Sequence, residues 1–275
     1  MTHSRPTIRT LLDTHDLQPR RDLGQNFVAD PNTVRRIAEL ARVGPDDHVA
    51  EIGAGLGSLT LALAETGATV TAIEIDSGLI EPLTATLAPY PNATLVHADA
   101  MRLDWPSVLD PTHAPWVLVA NLPYNVATPL VCDILDTVAH VGRLVVMVQR
   151  EVADRFVAAP RTSAYGAVSV KIAYWATARI VAQVPASVFV PRPNVESAVV
   201  EIIRRPDRQP GTGDPQPMFD LVRTAFGQRR KMLRKSLNGV VAAEQFLAAD
   251  IEPTDRPEEL DVDAWRRLST VVTEA

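Results

Sequence analysis

Strand-like apolar runs alternate with helical stripes along the first two thirds of the chain. The strand-like runs are 48–52, 69–73, 93–97, 116–120 and 144–148, and the helical patterns among them are 59–65, 79–87 and 128–138. An earlier helix begins at Asp30-Pro31, carries an apolar stripe and ends at Gly44-Pro45. This alternation predicts βαβ units, and therefore an α/β fold with a mostly parallel sheet and helices on both faces.

The last third of the chain follows a different pattern. Residues 149–175 show broken helical patterns, and two late strands at 180–184 and 197–203 are predicted to close the sheet in an antiparallel arrangement. From these patterns we predict four segments: a mobile arm at 1–20, the α/β domain at 21–205, a linker rich in Pro and Gly at 206–217, and a small all-α domain at 218–275.

Composition narrows the class of protein. The chain has 275 residues, of which 46% are hydrophobic, so it can form a substantial core. It has neither an apolar export signal nor a run long enough to span a bilayer, which predicts a soluble, cytoplasmic protein with no membrane partner. One cysteine and six scattered histidines without ligand spacing make a metal site improbable.

Charge is unevenly distributed. The formal net charge is −6, which by itself argues mildly against nucleic acid as a partner. A basic cluster nevertheless lies in the C-terminal third: Arg223, Arg229, Arg230, Lys231, Arg234 and Lys235. We interpret this cluster as an RNA-binding face, because phosphate contacts supply affinity; the alternative is a charged helix face in contact only with solvent.

The tetrapeptide Asn121-Leu122-Pro123-Tyr124 follows the buried strand-like run 116–120. Pro123 removes a backbone donor, so strand pairing is expected to stop there and to present an amide, a carbonyl and a ring at the carboxyl end of a strand. These groups suit a planar base that carries an exocyclic amine. The alternative is a proline turn in which Tyr124 only packs.

A glycine-rich turn, Gly53-Ala54-Gly55-Leu56-Gly57, joins a predicted strand to a predicted helix. Dinucleotide-binding proteins and methyltransferases both use such a turn, and Ser58 stands where the dinucleotide fingerprint needs its third glycine. Glu74 ends the next strand, where its carboxylate can accept from ribose hydroxyls. Asp99 ends the third strand and is expected to accept from an adenine amine, or else to cap the next segment.

Several motifs together resemble a known family. They are Gly24-Gln-Asn-Phe27, Glu51-Ile-Gly-Ala-Gly-Leu-Gly-Ser-Leu-Thr60, Glu74-Ile-Asp76, Asp99-Ala100, Asn121-Leu-Pro-Tyr-Asn125, Gln149-Arg-Glu-Val-Ala-Asp-Arg155, Pro185-Ala-Ser-Val-Phe-Val-Pro-Arg-Pro193 and Phe226-Gly-Gln-Arg-Arg-Lys-Met-Leu-Arg-Lys-Ser236. The chain resembles the bacterial ribosomal RNA adenine N6,N6-dimethyltransferases that act on the small subunit. Val28, where the family mostly has leucine, and His97-Ala98 before Asp99 are small departures.

The resemblance implies a Rossmann-like class I methyltransferase sheet and S-adenosylmethionine as cofactor. It further implies dimethylation of two adjacent adenosines in a hairpin loop near the 3′ end of 16S rRNA, within the small ribosomal subunit. We separately expect the enzyme to be monomeric. The residues implied to contact the cofactor are Asn26, Val28, Gly53, Gly55, Glu74, Ile75, Asp99, Ala100 and Asn121. Those implied at the reacting base are Asn121, Leu122, Pro123, Tyr124 and Phe189, with the two aromatic rings holding the target adenine.

Other functions remain open at this stage. A large-subunit adenine methyltransferase of the antibiotic-resistance type and a DNA adenine methyltransferase share the cofactor turn. A ribosome assembly factor whose methylation is secondary is a non-enzymatic alternative. A nicotinamide oxidoreductase is disfavoured by Ser58 and by the lack of an acid suited to hydride transfer.

Overall fold

The computed structural model describes residues 2–211 and 213–274. Position 1 of the predicted arm, position 212 of the predicted linker and position 275 of the predicted C-terminal domain lie outside the described residues. The chain forms two compact units. We call residues up to Ala153 together with Arg179–Arg204 the sheet unit, and Asp154–Ala178 together with the residues from Arg205 onward the helical unit.

The seven predicted strands are present, and two short strands, at Phe27–Val28 and Phe189–Val190, were not predicted. In chain order the strands are β1 Phe27–Val28, β2 His48–Ile52, β3 Thr69–Glu74, β4 Ala93–His97, β5 Trp116–Asn121, β6 Val141–Gln149, β7 Ala176–Val184, β8 Phe189–Val190 and β9 Ser197–Arg204. The helices are α1 Arg5–Thr14, α2 Pro31–Ala41, α3 Ser58–Ala64, α4 Ser77–Leu87, α5 Trp105–Val108, α6 Ala127–Thr137, α7 Arg150–Val157, α8 Ala167–Trp175, α9 Gln216–Phe226, α10 Leu233–Ser236, α11 Ala243–Ala248 and α12 Val262–Thr273.

Seven strands form one sheet in the order β4-β3-β2-β5-β6-β9-β7. The pairs from β4 to β6 are parallel, and β9 pairs antiparallel with β6, as predicted. Residues 116–120 of β5 are buried, which fits a central strand covered on both faces. The carboxyl ends of β2, β3, β4 and β5 therefore meet at one edge of the sheet, where α/β proteins bind ligands.

Helix α2 shows how the apolar stripe forms the core of the sheet unit. Its buried positions are Val34, Ile37, Ala38 and Ala41, as the sequence predicts. The Asp30 side chain caps the first turn by accepting from the Thr33 N–H at 2.9 Å. The helix ends at Ala41, before the predicted Gly44-Pro45 stop.

The predicted mobile arm is wrong for residues 5–14, which form α1. Ile8 and Leu12 are buried there and pack against Phe27, Leu56 and Leu79. Just before the helix, the His3 ring forms a hydrogen bond with the Leu56 carbonyl at 2.9 Å, and the His3 backbone N–H donates to the Ser58 hydroxyl at 3.0 Å. The N-terminal segment is thus packed against the glycine-rich turn.

The predicted all-α domain started at residue 218, but the helical unit also includes residues 154–178. The aromatic face of α8 explains this: Tyr174 meets the Phe219 ring of α9 edge-on, with centroids 5.4 Å apart. The predicted linker 206–217 is also shorter, since α9 begins at Gln216. Arg208 within it donates to the Tyr174 carbonyl at 3.1 Å and lies over that ring.

Two searches of the described residues bear on predicted partners. None of their helices is long and apolar enough to cross a membrane. In the same residues, no group of three or more His, Cys, Asp or Glu side chains is placed to hold a metal ion.

Candidate active site

A cavity lies at the carboxyl edge of the sheet, beneath the glycine-rich turn. It opens to solvent, as small-molecule sites do. Among its lining residues are the predicted Asn26, Val28, Gly53, Gly55, Glu74, Ile75, Asn121, Leu122, Pro123 and Tyr124. The structure therefore brings together most of the residues proposed for the cofactor and for the reacting base.

The backbone of the glycine-rich turn explains its composition. Gly53, Gly55 and Gly57 all have positive φ, at 72°, 61° and 86°. A Cβ on Gly57 would lie 2.8 Å from Leu83 and one on Gly55 would lie 3.2 Å from the Phe27 ring, whereas at Gly53 the nearest atom is 3.8 Å away. Packing thus requires the second and third glycines, and the first leaves open space where a ligand can approach the backbone.

Glu74 fixes this turn from the end of β3. One carboxylate oxygen accepts from the Gly55 N–H at 2.8 Å, and the other accepts from the N–H groups of Ile75 and Asp76 at 2.9 and 2.8 Å. Burial raises the pKa of Glu74, while these backbone donors act in the opposite direction. The predicted ribose-binding carboxylate is thus held rigidly at the cavity.

A second cavity continues from the first. It contains Asp99 and Ala100 and shares Leu23, Gly53, Ile75 and Pro123 with the first cavity. Asp99 accepts from the Met101 N–H at 2.9 Å, so the capping alternative is present in the structure. Its side chain is also 36% exposed, which leaves carboxylate surface for a ligand at this end of the cleft.

The side chain of Asn121 has a defined orientation. Its amide nitrogen donates to the Asn26 carbonyl at 3.1 Å, so its amide oxygen remains an acceptor within the cavity. The Tyr124 hydroxyl lies 3.2 Å from the Ser197 hydroxyl at the start of β9. An amide acceptor and a tethered aromatic ring thus line one cavity.

Phe189 is not placed as the predicted partner of Tyr124. It is 1% exposed, belongs to the core cluster around α2 and α3, and pairs with Val28 across the β8–β1 ladder. It does not line the cavity, so the predicted aromatic pair is not assembled in the structure. A flanking proline-rich sequence suggested a surface loop, but β8 buries this ring and supports the strand that carries Val28.

Sequence reasoning missed the polar residues that join these loops. The Gln25 amide donates to Asp76 at 2.6 Å, and Asp76 also caps α4. Glu51, two residues before Gly53, lines the cavity and is 1% exposed. Its motif was recognised, but a carboxylate inside a strand gives no sequence signal that it faces a cavity.

The predicted RNA-binding cluster lies in the helical unit and is not uniform. Arg229 bonds Glu258 at 2.7 Å, and Arg223 pairs with Asp220. The other four are exposed and have no salt bridge among the described residues: Arg230, Lys231, Arg234 and Lys235. These four are the cations available to phosphate.

Comparison with known proteins decides the family. The model of the ribosomal RNA adenine dimethylase family matches residues 17–274. The chain belongs to this family. It is therefore an S-adenosylmethionine-dependent rRNA adenine dimethyltransferase with a class I methyltransferase fold.

Relatives of this dimethylase match almost the whole chain. It is 45% identical to the ribosomal RNA small subunit methyltransferase A of Cutibacterium acnes, covering 98% of this chain and 94% of that protein. It is 43% identical to the protein of the same name from Bifidobacterium longum subsp. infantis, covering 96% and 92%.

Solved structures share the fold of this dimethylase. A dimethyladenosine transferase from Plasmodium falciparum aligns with a TM-score of 0.76 at 24% identity, covering 87% of this chain and 94% of that one. The 23S rRNA methyltransferase ErmE aligns with a TM-score of 0.68 at 26% identity, covering 90% and 99%.

The cleft of this dimethylase fits S-adenosylmethionine. The space above Gly53 admits a ligand close to the backbone, and carboxylates at Glu74 and Asp99 can accept from ribose and adenine donors. When bound, the cofactor supplies an electrophilic methyl group on a sulfonium. The protein binds the cofactor and orients the adenine amine that attacks the methyl group.

Gly24→Ala should push the loop that contains Gly24 away from the loop that contains Pro123. A Cβ on Gly24 would lie 3.0 Å from the Pro123 Cβ, and φ there is +64°. We expect a stability loss of about 1–2 kcal/mol from the backbone strain, with a larger fractional loss of methyl transfer because Pro123 follows Asn121-Leu122. Gly239→Ala is the matched control, since φ there is also positive, at +79°, and a Cβ meets nothing within 4 Å. Equal activity in the two variants would contradict the proposed contact between the loops.

Proposed function

We propose that this dimethylase converts two adjacent adenosines, in a hairpin loop near the 3′ end of 16S rRNA, to N6,N6-dimethyladenosine within the small ribosomal subunit. The observation that carries the proposal is the Asn121-Leu122-Pro123-Tyr124 loop, whose amide oxygen and ring line the cleft beside the glycine-rich turn. The relatives named small subunit methyltransferase A, 43–45% identical, support the choice of RNA.

The chemical problem is the weak nucleophilicity of the adenine amine, since its lone pair is delocalised into the ring. In our proposal the Asn121 amide oxygen and the Leu122 carbonyl accept its two hydrogens. These bonds favour a tetrahedral nitrogen and direct its lone pair at the methyl group. Catalysis then rests on positioning and on fixed dipoles.

No acid or strong base is required by this scheme. The leaving group is a neutral thioether, and the methylated ammonium loses its proton readily to water. Tyr124 would hold the base by stacking, which offsets part of the cost of unstacking it from RNA. Its contact with Ser197 supports this role, because it limits rotation of the ring.

We assign recognition of the RNA backbone to the four exposed cations of the helical unit, Arg230, Lys231, Arg234 and Lys235. Three of them lie in or beside the short helix α10, so they are held on ordered backbone. Arg229 and Arg223 are already paired with acidic side chains, so we expect less from them.

A large-subunit adenine methyltransferase is the second candidate, because ErmE shares the fold at 26% identity. The higher identity to small-subunit relatives over nearly full length favours the first. A ribosome assembly factor with secondary methylation predicts the same product, and differs only in the cellular effect of an inactive variant.

The test of this proposal is methyl transfer from labelled S-adenosylmethionine to small subunits isolated without the modification. Large subunits, free small-subunit RNA and duplex DNA are the parallel substrates. We expect dimethyladenosine in the small subunit. Label in the large subunit would instead identify an enzyme of the ErmE type.

A further inference from the structure

A second concave feature lies in the sheet unit, outside the cofactor cleft. It is a notch between residues 185–187, which precede β8, and residues 192–196, which follow it. Its polar lining residues are Ser187, Arg192, Asn194 and Glu196. None of these four lines the cofactor cavity, so cofactor binding does not explain their presence here.

Two arginines give this notch a positive charge. Arg5, the first residue of α1, donates to the Ser187 carbonyl at 2.7 Å, and a guanidinium has five N–H donors, so most of them remain for a ligand. Arg192 is exposed and has no salt bridge among the described residues, although Glu196 lines the same notch. Two guanidinium groups thus outnumber one carboxylate, and the notch attracts anions.

The notch lies close to the residues assigned to the target adenine. Ser197 comes directly after residues 192–196, and its hydroxyl lies 3.2 Å from the Tyr124 hydroxyl. Asn194 is three residues earlier, so its Cα lies within about 11 Å of the Ser197 Cα. Between the two sides of the notch, β8 pairs with β1, whose Val28 lines the cofactor cavity. The notch therefore borders the reacting end of the cleft.

Both ends of the 191–196 loop are fixed by backbone hydrogen bonding. Before the loop, Val190 pairs with Phe27 in the β1–β8 ladder. At its end, the Glu196 carbonyl accepts from the Arg150 N–H at 3.0 Å. Two prolines within the loop restrict its φ angles further. A ligand that binds here meets groups already held in place, so binding orders little additional backbone.

We propose that this notch is a phosphate-binding subsite for the RNA strand that carries the target adenosines, with Arg192 as the residue that contacts the phosphate. The inference rests on the proposed function and adds a positioning contact to it. A nucleotide carries its phosphate one ribose away from its base, so a base stacked on Tyr124 brings the RNA backbone toward the notch. Arginine suits this role because its planar fork bonds two phosphate oxygens at once. Such a contact fixes the register of the strand, whereas the exposed cations of the helical unit supply affinity.

Single-turnover methyl transfer to unmodified small subunits, at saturating cofactor and across a salt series, measures both effects of this subsite. For Arg192→Glu we expect the rate at saturating subunits to fall by about tenfold, because the target amine is less well positioned for attack. The slope of log affinity against log salt should fall by about one, for one lost phosphate contact. Arg192→Lys should restore the slope but only part of the rate, since an ammonium lacks the planar fork.

Three comparisons separate a positioning contact from other causes. Arg36→Glu is the matched control, because Arg36 is an exposed arginine of the same unit that pairs with Glu39 at 3.3 Å and does not line the notch; it should match the wild type. Reversal of Arg230 and Arg234 should weaken affinity and leave the rate at saturating subunits nearly unchanged. Titration calorimetry with S-adenosylhomocysteine should give wild-type affinity for Arg192→Glu, which shows that the variant is folded and that its cofactor cleft is intact.

Several results would overturn the subsite and leave the proposed function intact. They are a wild-type rate and slope for Arg192→Glu, an equal impairment by Arg36→Glu, and a loss of cofactor affinity that parallels the loss of rate. The second would assign the effect to net charge and the third to a structural role of Arg192. A wild-type protein that transfers no methyl group to small subunits would instead overturn the proposed function, and the subsite with it.

Discussion

Asn121→Ala is expected to reduce the rate of methyl transfer by about 10²–10³-fold, the usual cost of removing one preorganised polar group at a reacting centre. The variant loses the amide oxygen proposed to accept from the adenine amine. It also loses the donor to the Asn26 carbonyl, so a moderate weakening of cofactor binding should accompany the loss. Single-turnover transfer to unmodified small subunits at saturating cofactor measures the chemical step separately from binding.

Two controls keep this result interpretable. Cofactor affinity and thermal unfolding of the same variant show whether the site remains assembled. Tyr124→Phe keeps the ring and removes only the hydroxyl that contacts Ser197, so it should retain most activity. Wild-type turnover by Asn121→Ala would remove this residue from the mechanism.

Reversing the charge at Arg230 and Arg234 together should have the largest effect on RNA binding. Both side chains are exposed and have no salt bridge among the described residues, so each is available to a phosphate. The slope of log affinity against log salt should fall by about one for each lost contact. Filter binding or fluorescence anisotropy across a salt series measures that slope.

Arg266→Glu is the matched control for this experiment. Arg266 is an exposed arginine of the same helical unit, but it is paired with Asp263 at 3.4 Å and lies on α12. Its reversal should change the slope little. If all three reversals reduce affinity equally, the effect comes from net charge rather than from the proposed face.

The sheet and the main cleft were predictable because both depend on local patterns. Continuous apolar runs identify buried parallel strands, and the positions where those runs stop locate Gly53, Glu74 and Asn121. Parallel strands must then bring these ends to one edge. This geometry places most of the predicted site residues around one cleft without any knowledge of side-chain contacts.

The errors arose where long-range packing decides the outcome. The apolar positions Ile8 and Leu12 are spaced as on one helix face, but only the pocket formed by Phe27, Leu56 and Leu79 makes that helix stable. The domain boundary was placed at the linker, whereas α8 joins the helical unit through aromatic contacts with α9. The order of elements along the chain does not show which of them pack together.

Phe189 and Glu51 show the same limitation at the site itself. A proline-rich context predicted an exposed ring, but the two-residue ladder with β1 buries Phe189 in the core. Glu51 lies within a recognised motif, and only its buried position against the cavity shows that it lines the cofactor site. Both depend on what surrounds the side chain in three dimensions.

The most direct test of the account is to map modified adenosines in cells that lack this protein and are supplied with the wild type or with Asn121→Ala. Mass spectrometry of nuclease fragments from both ribosomal RNAs gives the position and the number of methyl groups. We expect the wild type to restore two adjacent dimethyladenosines near the 3′ end of the small-subunit RNA, and the variant to restore none. Restoration by Asn121→Ala, or methyl groups appearing in the large-subunit RNA instead, would contradict the account.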